Sequence, residues 1–289
     1  MDLTVITLVL ISAGLHPFRE FWIKANTGPE SLILAVVSVF TVLAGFHATA
    51  LGLDLYSALS VWPLVVLSSM SVVTFYWFLL RTFAHGDLSV YYPITRSSPL
   101  FVVIAGSLFL GHSYSVLLLL GVALVLVGAF FLQYEPGARL LSQPTTLLMA
   151  VMTMSVQGVT ILADAEAMNT VEPAAFLFAA YLLITPGVAL VFVVTRPSSR
   201  SLGSHLFGGW RHQPLRFLAA GTSCYLSYYL LLVAFQLGAG VAAASAVRQV
   251  SIPISVLMGG MLFGEARMMG RLGWSFVLAI GVAVIILSH

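Results

Sequence analysis

The chain is 289 residues long, 60% of them hydrophobic and 8% charged, with a mean hydropathy of +1.04 and a formal net charge of +2. Soluble globular domains carry roughly 25% charged residues, so the composition predicts an integral membrane protein. The near-neutral balance, with no Lys/Arg cluster interleaved with aromatics, leaves no footprint for nucleic acid, and a lone cysteine, Cys224, excludes an intramolecular disulfide and speaks against a thiolate metal cluster.

A membrane helix needs about 20 mainly apolar residues to cross roughly 30 Å of hydrocarbon, and ten segments of this chain meet that requirement. The first, 3–22, begins MDLTVITLVLISAG, with Asp2 where a secretory leader would be basic. It runs on into LHPFREFWIK without a small-residue cleavage site, so it is expected to be the first membrane helix. Segments at 31–52, 58–80, 88–110 and 115–132 follow, the fourth holding YYPITRSSPL. After the connection QYEPGARLLSQP come 145–163 and 173–195, then a longer connection at 196–214. The last three segments are 214–237, 241–263, which holds AAASAVRQVSIPIS, and 269–288. The predicted fold class is therefore all-α, with ten transmembrane helices.

The connection at 133–144 divides the chain evenly, into 1–137 and 138–289. With the halves laid over each other, Phe83 falls on Phe235, Gly86 on Gly238, Arg96 on Arg248 (248 − 96 = 152) and Gly121 on Gly273. One inserted residue then brings Gly111 onto Gly264 and Gly128 onto Gly281. This reads as an internal repeat of five helices.

An odd number of helices per repeat makes the second copy enter the membrane from the opposite side. The basic residues follow that inversion. Arg19 and Lys24 come after the first segment, Arg81 after the third and Arg139 after the fifth, whereas Arg196, Arg200, Arg211 and Arg216 come after the seventh and Arg267 and Arg271 after the ninth. By the positive-inside rule those loops are cytoplasmic and both termini face outward.

With these features the chain resembles the EamA-type branch of the drug/metabolite transporter superfamily, whose members have two five-helix inverted repeats. The resemblance covers nearly all 289 residues. It rests most on YYPITRSSPLFVVIAGSLFLG, on AASAVRQVSIPISVLMGGMLFGE and on GWSFVLAIGVAVIIL, and less on the stretch from His16 to Lys24 and on Asp164. Two features depart from the family pattern. Gly264-Glu265 is matched in the first half by Gly111-His112, so a pair of symmetry-related acids is missing, and HPFRE places Pro17, Arg19 and Glu20 where small or aromatic residues are usual. The resemblance implies a secondary transporter of small metabolites, with export the expected direction, in a bacterial-type cytoplasmic membrane.

Arg96 and Arg248 lie about eight and seven residues into their segments, on the order of 10 to 12 Å deep, and they enter from opposite faces. A cation facing lipid at that depth costs about 2.5 to 3.5 kcal/mol on translocon scales, so both are expected to face the bundle interior. They are candidates for binding a carboxylate or phosphate. The plainer reading is that they snorkel, or bond carbonyls freed by Pro93, Pro99 and Pro253.

Tyr91, Tyr92, Trp77, Tyr225 and Tyr229, with Tyr228 and Gln236, are candidates for aromatic walls with a few polar donors. An interfacial aromatic belt accounts equally well for Tyr91 and Tyr92. His16, Glu20 and Asp164, the last with Gln157 seven residues earlier, are the candidates for coupling, although the commoner reading of Asp164, as of Glu166, is a water-screened carboxylate near a helix end, and Glu265 reads as solvated or capping. Glycines 106, 121, 128, 259, 260, 273 and 281 are expected to let helices approach closely.

Two functional readings remain open: a transporter with a midplane site, or a translocator of lipids or lipid-linked sugars. An enzyme is not expected, because no metal cluster, nucleophile motif or deep carboxylate pair stands out. With no nucleotide-binding module or Walker-type loop, ATP is not expected to drive it directly, and no cofactor is expected. The expected partners are a small-molecule substrate and membrane lipids, with the chain monomeric or homodimeric.

Overall fold

A computed structural model describes residues 2–18, 29–85, 88–134, 143–196, 201–263 and 268–288. Among these there is no strand, and thirteen α-helices carry the fold. In chain order they are α1 Leu3–Leu15, α2 Pro29–Ala50, α3 Trp62–His85, α4 Leu88–Thr95, α5 Ser98–Phe109, α6 Val116–Gln133 and α7 Pro144–Ala167. They continue with α8 Pro173–Thr195, α9 Leu202–His212, α10 Pro214–Gln236, α11 Val241–Val247, α12 Ser251–Phe263 and α13 Met268–Leu287. Five helical stretches are long and apolar enough to cross a membrane: Glu30–Ala50, Ser57–Thr82, Pro144–Ala167, Pro173–Thr195 and Pro214–Gln236. Five more are apolar but shorter, at 10–17 residues. Val42, Phe46, Leu108, Leu190 and Phe276 are exposed on the outside, as suits helices that face hydrocarbon.

Local chemistry explains the helix boundaries. Pro144, Pro173 and Pro214 open their helices, where a missing N–H removes no intrahelical bond. Ser115 caps α6 by accepting from the Leu118 N–H at 3.2 Å. Gly238, at φ +88, ends α10 in a left-handed turn in which its N–H meets the Phe235 carbonyl and Ala239 N–H meets that of Ala234, both at 2.9 Å.

The fourth and ninth predicted segments are each interrupted. Arg96 occupies the turn between α4 and α5, and Arg248 opens a 3₁₀ turn, Arg248–Val250, between α11 and α12. Proline weakens both helices at these points. Pro99 has no N–H for the Thr95 carbonyl four residues back, and Pro253 has none for that of Gln249, so each helix lacks a bond beside its arginine; α8 carries Pro186 without a break, so the missing bond favours the interruption rather than dictating it.

The most extensive packing joins α3 to α7 and α6 to α13, followed by α2 on α8 and α10 against both α1 and α2. The α6–α13 seam is set by glycine. A Cβ at Gly281 would sit 2.7 Å from Val125 N and 2.8 Å from Gly121 O, and one at Gly128 would sit 2.7 Å from Leu278 N. Gly273 differs from the expectation, having nothing within 4 Å of where its Cβ would be. Gly106 meets Tyr114 and His112 just beyond its own helix rather than another helix. At Gly259 and Gly260 the side-chain environment lies outside the described set.

The connection at 196–214 contains a helix, α9, that a search for membrane-length apolar runs passes over. Leu206 is buried and Phe207 exposed, and Trp210 meets Phe217 edge-on at 6.0 Å.

Candidate functional site

A cavity of ≈ 180 Å³ lies among the helices and is lined by residues from both halves of the chain. Each contributing helix presents one face at i, i+3, i+4 or i+7 spacing. Val72, Phe75, Tyr76 and Leu79 come from α3, Gln157, Thr160 and Ile161 from α7, and Cys224, Tyr228 and Leu231 from α10. Phe40 from α2 and Tyr181 from α8 stack on each other at 4.3 Å, nearly parallel. The two helix breaks supply Arg96 and Arg248, accompanied by His16, Ser98, Ser245 and Gln249.

Side chains hold both guanidiniums. Arg96 donates from Nη1 to His16 Nε2 at 3.1 Å and from Nη2 to Ser251 Oγ at 2.9 Å. Arg248 donates from Nη2 to Ser227 Oγ at 3.4 Å and lies over the Tyr228 ring, 5.3 Å from its centroid. Ser227 is fixed in turn, since its Oγ donates to the Ser12 carbonyl at 2.7 Å while Ser12 Oγ returns a bond to the Ser227 carbonyl. One backbone group at the break is met differently: Gln249 Nε2 donates to the Arg96 carbonyl at 3.0 Å.

Asp164 continues the α7 face one turn beyond Thr160 and is buried, at 1% exposure. The Tyr228 hydroxyl donates to its Oδ2. A chain of contacts thus runs from Arg248 over the Tyr228 ring to the Asp164 carboxyl. Among the described residues that line the cavity the two arginines are the charged groups and none is acidic, the nearest carboxyl being that of Asp164 behind Tyr228.

Of the candidates read from sequence, the structure brings Arg96, Arg248, His16 and Gln157 to this cavity, with Asp164 directly behind Tyr228. Others lie elsewhere. Tyr91 is buried against α7, with its hydroxyl 3.4 Å from the Gln143 carbonyl, and Trp77 is partly exposed, with the Arg81 guanidinium 5.4 Å from its ring. Tyr225 and Tyr229 leave α10 toward α2, where Tyr225 Oη sits 2.8 Å from His47 Nδ1 and the Tyr229 ring lies 4.7 Å from that imidazole. Gln236 is exposed at the end of α10. Glu20, Glu265 and the side chain of Tyr92 lie outside the described residues.

Sequence reading missed Phe40, Phe75, Tyr76, Thr160, Tyr181 and Gln249. The signal for several of them was helical phase: residues 72, 75, 76 and 79 share one face of α3, as 157, 160, 161 and 164 share one face of α7.

No protein-family model and no curated protein sequence matches the chain. Among solved structures it is similar to one described as "Crystal structure of protein", with TM-score 0.78 at 16% identity, over 99% of this chain and 96% of that one. At that identity the likeness establishes a shared fold across the whole chain.

Proposed function

We propose that this chain is a secondary transporter, similar to EamA-type members of the drug/metabolite transporter superfamily. In this reading it moves a small solute bearing a carboxylate or phosphate, amino acids included, across a cytoplasmic membrane by alternating access. It comprises ten spans arranged as two inverted five-helix repeats, 1–137 and 138–289, with both termini outside.

The observation that carries this reading is that Arg96 and Arg248 line one cavity. Their positions at helix breaks support it, because interrupted membrane helices are where transporters bind ions and charged solutes. The packing supports the repeat. Exchanging α1 with α7, α2 with α8, α3 with α10 and α6 with α13 turns the α3–α7 contact into the α10–α1 contact, and maps α2–α8 and α6–α13 onto themselves.

The test is uptake of labelled amino acids and organic acids into vesicles reconstituted with the purified chain. Parent protein is expected to carry an anionic or zwitterionic solute, and Arg96→Ala and Arg248→Ala each to reduce the rate. Transport at parental rates in both variants, or carriage of permanent cations alone, sinks the reading.

A further inference from the structure

Two adjacent residues of the cavity hold polar atoms that no described residue satisfies. Gln249 is 7% exposed, and its Nε2 donates to the Arg96 carbonyl. That bond fixes the orientation of the amide, since a carbonyl only accepts and the NH₂ end alone can donate to it. Oε1 is then left buried with no hydrogen-bond partner among the described residues. Arg248 Nε is a buried donor in the same condition. Both residues line the cavity and both leave the same 3₁₀ turn; Oε1 and Nε themselves are sealed from its open space, so a solute meets them where it displaces the side chains around them.

Buried polar groups are almost always hydrogen-bonded, and one left without a partner carries its full desolvation cost. A bare carboxylate answers half of this requirement. Its oxygens accept from Arg248 but offer nothing to Oε1, which they repel. A solute that places an N–H or O–H beside its carboxylate answers both. The other half of the chain offers no equivalent amide: the residue after Arg96 is Ser97, which is not among the residues lining the cavity and whose Oγ donates to the Pro93 carbonyl at 2.8 Å.

Building on the proposed anion site, we infer that Gln249 is a specificity-determining residue. Its Oε1 accepts a hydrogen bond from a donor on the carbon next to the substrate carboxylate, which favours 2-amino and 2-hydroxy acids over acids with an unsubstituted C2.

Binding of six probes to the full-length purified protein, measured calorimetrically, tests this. They are 4-methylpentanoate and 3-phenylpropionate, chosen for the apolar and aromatic walls, together with the 2-hydroxy and 2-amino forms of each. The hydroxy acids give the decisive comparison, because their donor is uncharged and gains nothing from Asp164. In the parent protein the 2-hydroxy acids are expected to bind about tenfold tighter than the plain acids, the upper end for one neutral hydrogen bond. In Gln249→Met, of similar volume, the preference should fall to within about twofold, whatever the loss of the Nε2 bond to the Arg96 carbonyl does to the affinity for all six acids together. Should that variant not fold, Gln249→Asn, with its amide withdrawn by one methylene, must show the same loss of preference. A preference that survives in the variant, or plain acids that bind the parent as tightly as hydroxy acids, overturns the role of Gln249 and leaves the anion site standing. If none of the six binds, or if Arg248→Ala changes no affinity, the anion site itself is overturned.

Discussion

Gln249 Nε2 donates across 3.0 Å to the backbone carbonyl of Arg96, so a side chain from one interrupted helix closes the break in the other. Arg96 returns the contact through Nη2, which reaches Ser251 Oγ at the start of α12. The Arg96 guanidinium is therefore a fastener between the two breaks. A solute that drew Nη2 away from Ser251 would remove one of these two links, which would tie cavity occupancy to the join between the two helix breaks.

The first prediction separates charge from geometry at the arginines. Arg96→Lys keeps the charge but loses the planar fork, and should lower uptake less than Arg96→Ala. Loss of a charge-assisted hydrogen bond is worth about 1.5 to 3 kcal/mol, so the alanine variant should fall roughly 10- to 100-fold in kcat/KM in the vesicle assay. Equal rates for the lysine and alanine forms would show that the fork is irrelevant.

A second prediction concerns the helix breaks. Pro253→Ala supplies an N–H to the Gln249 carbonyl and lets α11 and α12 join. The variant should keep its thermal stability in detergent while losing uptake, because the turn that presents Arg248 is straightened. Unchanged uptake would mean that the interruption is incidental to function.

The buried Asp164–Tyr228 contact can be weighed by a double-mutant cycle. Tyr228→Phe leaves the carboxyl without its phenolic donor and should destabilise by about 1 to 3 kcal/mol. Adding Asp164→Leu should recover part of that loss, with a coupling of roughly 0.5 to 3 kcal/mol. Additive effects in thermal or denaturant unfolding would indicate that the two groups do not interact.

The glycine seam makes a contrast between neighbours on one helix. Gly281→Ala drives a Cβ to 2.7 Å from the backbone nitrogen of Val125, and overpacking of that kind costs about 1 to 3 kcal/mol. Gly273→Ala meets open space and should be neutral or slightly stabilising. Equal melting temperatures for the two variants would contradict the packing.

Orientation has its own measurement. A reporter active only in the cytoplasm, fused after His289, should be silent if both termini face outward; a strongly active fusion would invert the topology while leaving the repeat intact.

The helices were largely legible in the sequence because their signal is bulk hydropathy, which needs no partner to be read. Segments 173–195 and 214–237 match α8 and α10 to within a residue. The breaks were harder. Pro99 and Pro253 were visible, but an apolar run reads the same whether its helix is continuous or interrupted, and only packing shows how the two broken helices close one another. At the site, charge singled out Arg96 and Arg248 because a cation in an apolar run has few explanations. Tyrosine had no such advantage. Tyr225, Tyr228 and Tyr229 are interchangeable by composition, and only the rotation of α10 sends Tyr228 to the cavity and the other two to His47. Gln249 stayed hidden because its significance depends on which carbonyl its amide meets.

The Gly121–Gly281 seam also fixes where this protein is free to diversify. With main-chain atoms of α6 and α13 in contact, almost any added side chain there is excluded, so that pair of helices is closed to innovation. The cavity walls carry no such restriction. Phe75, Tyr76 and Gln157 face the cavity, so a change of size or polarity there meets open space on one side rather than a neighbouring main chain. New selectivities would therefore arise on the α3 and α7 side, while the α6–α13 pair remains an invariant spine.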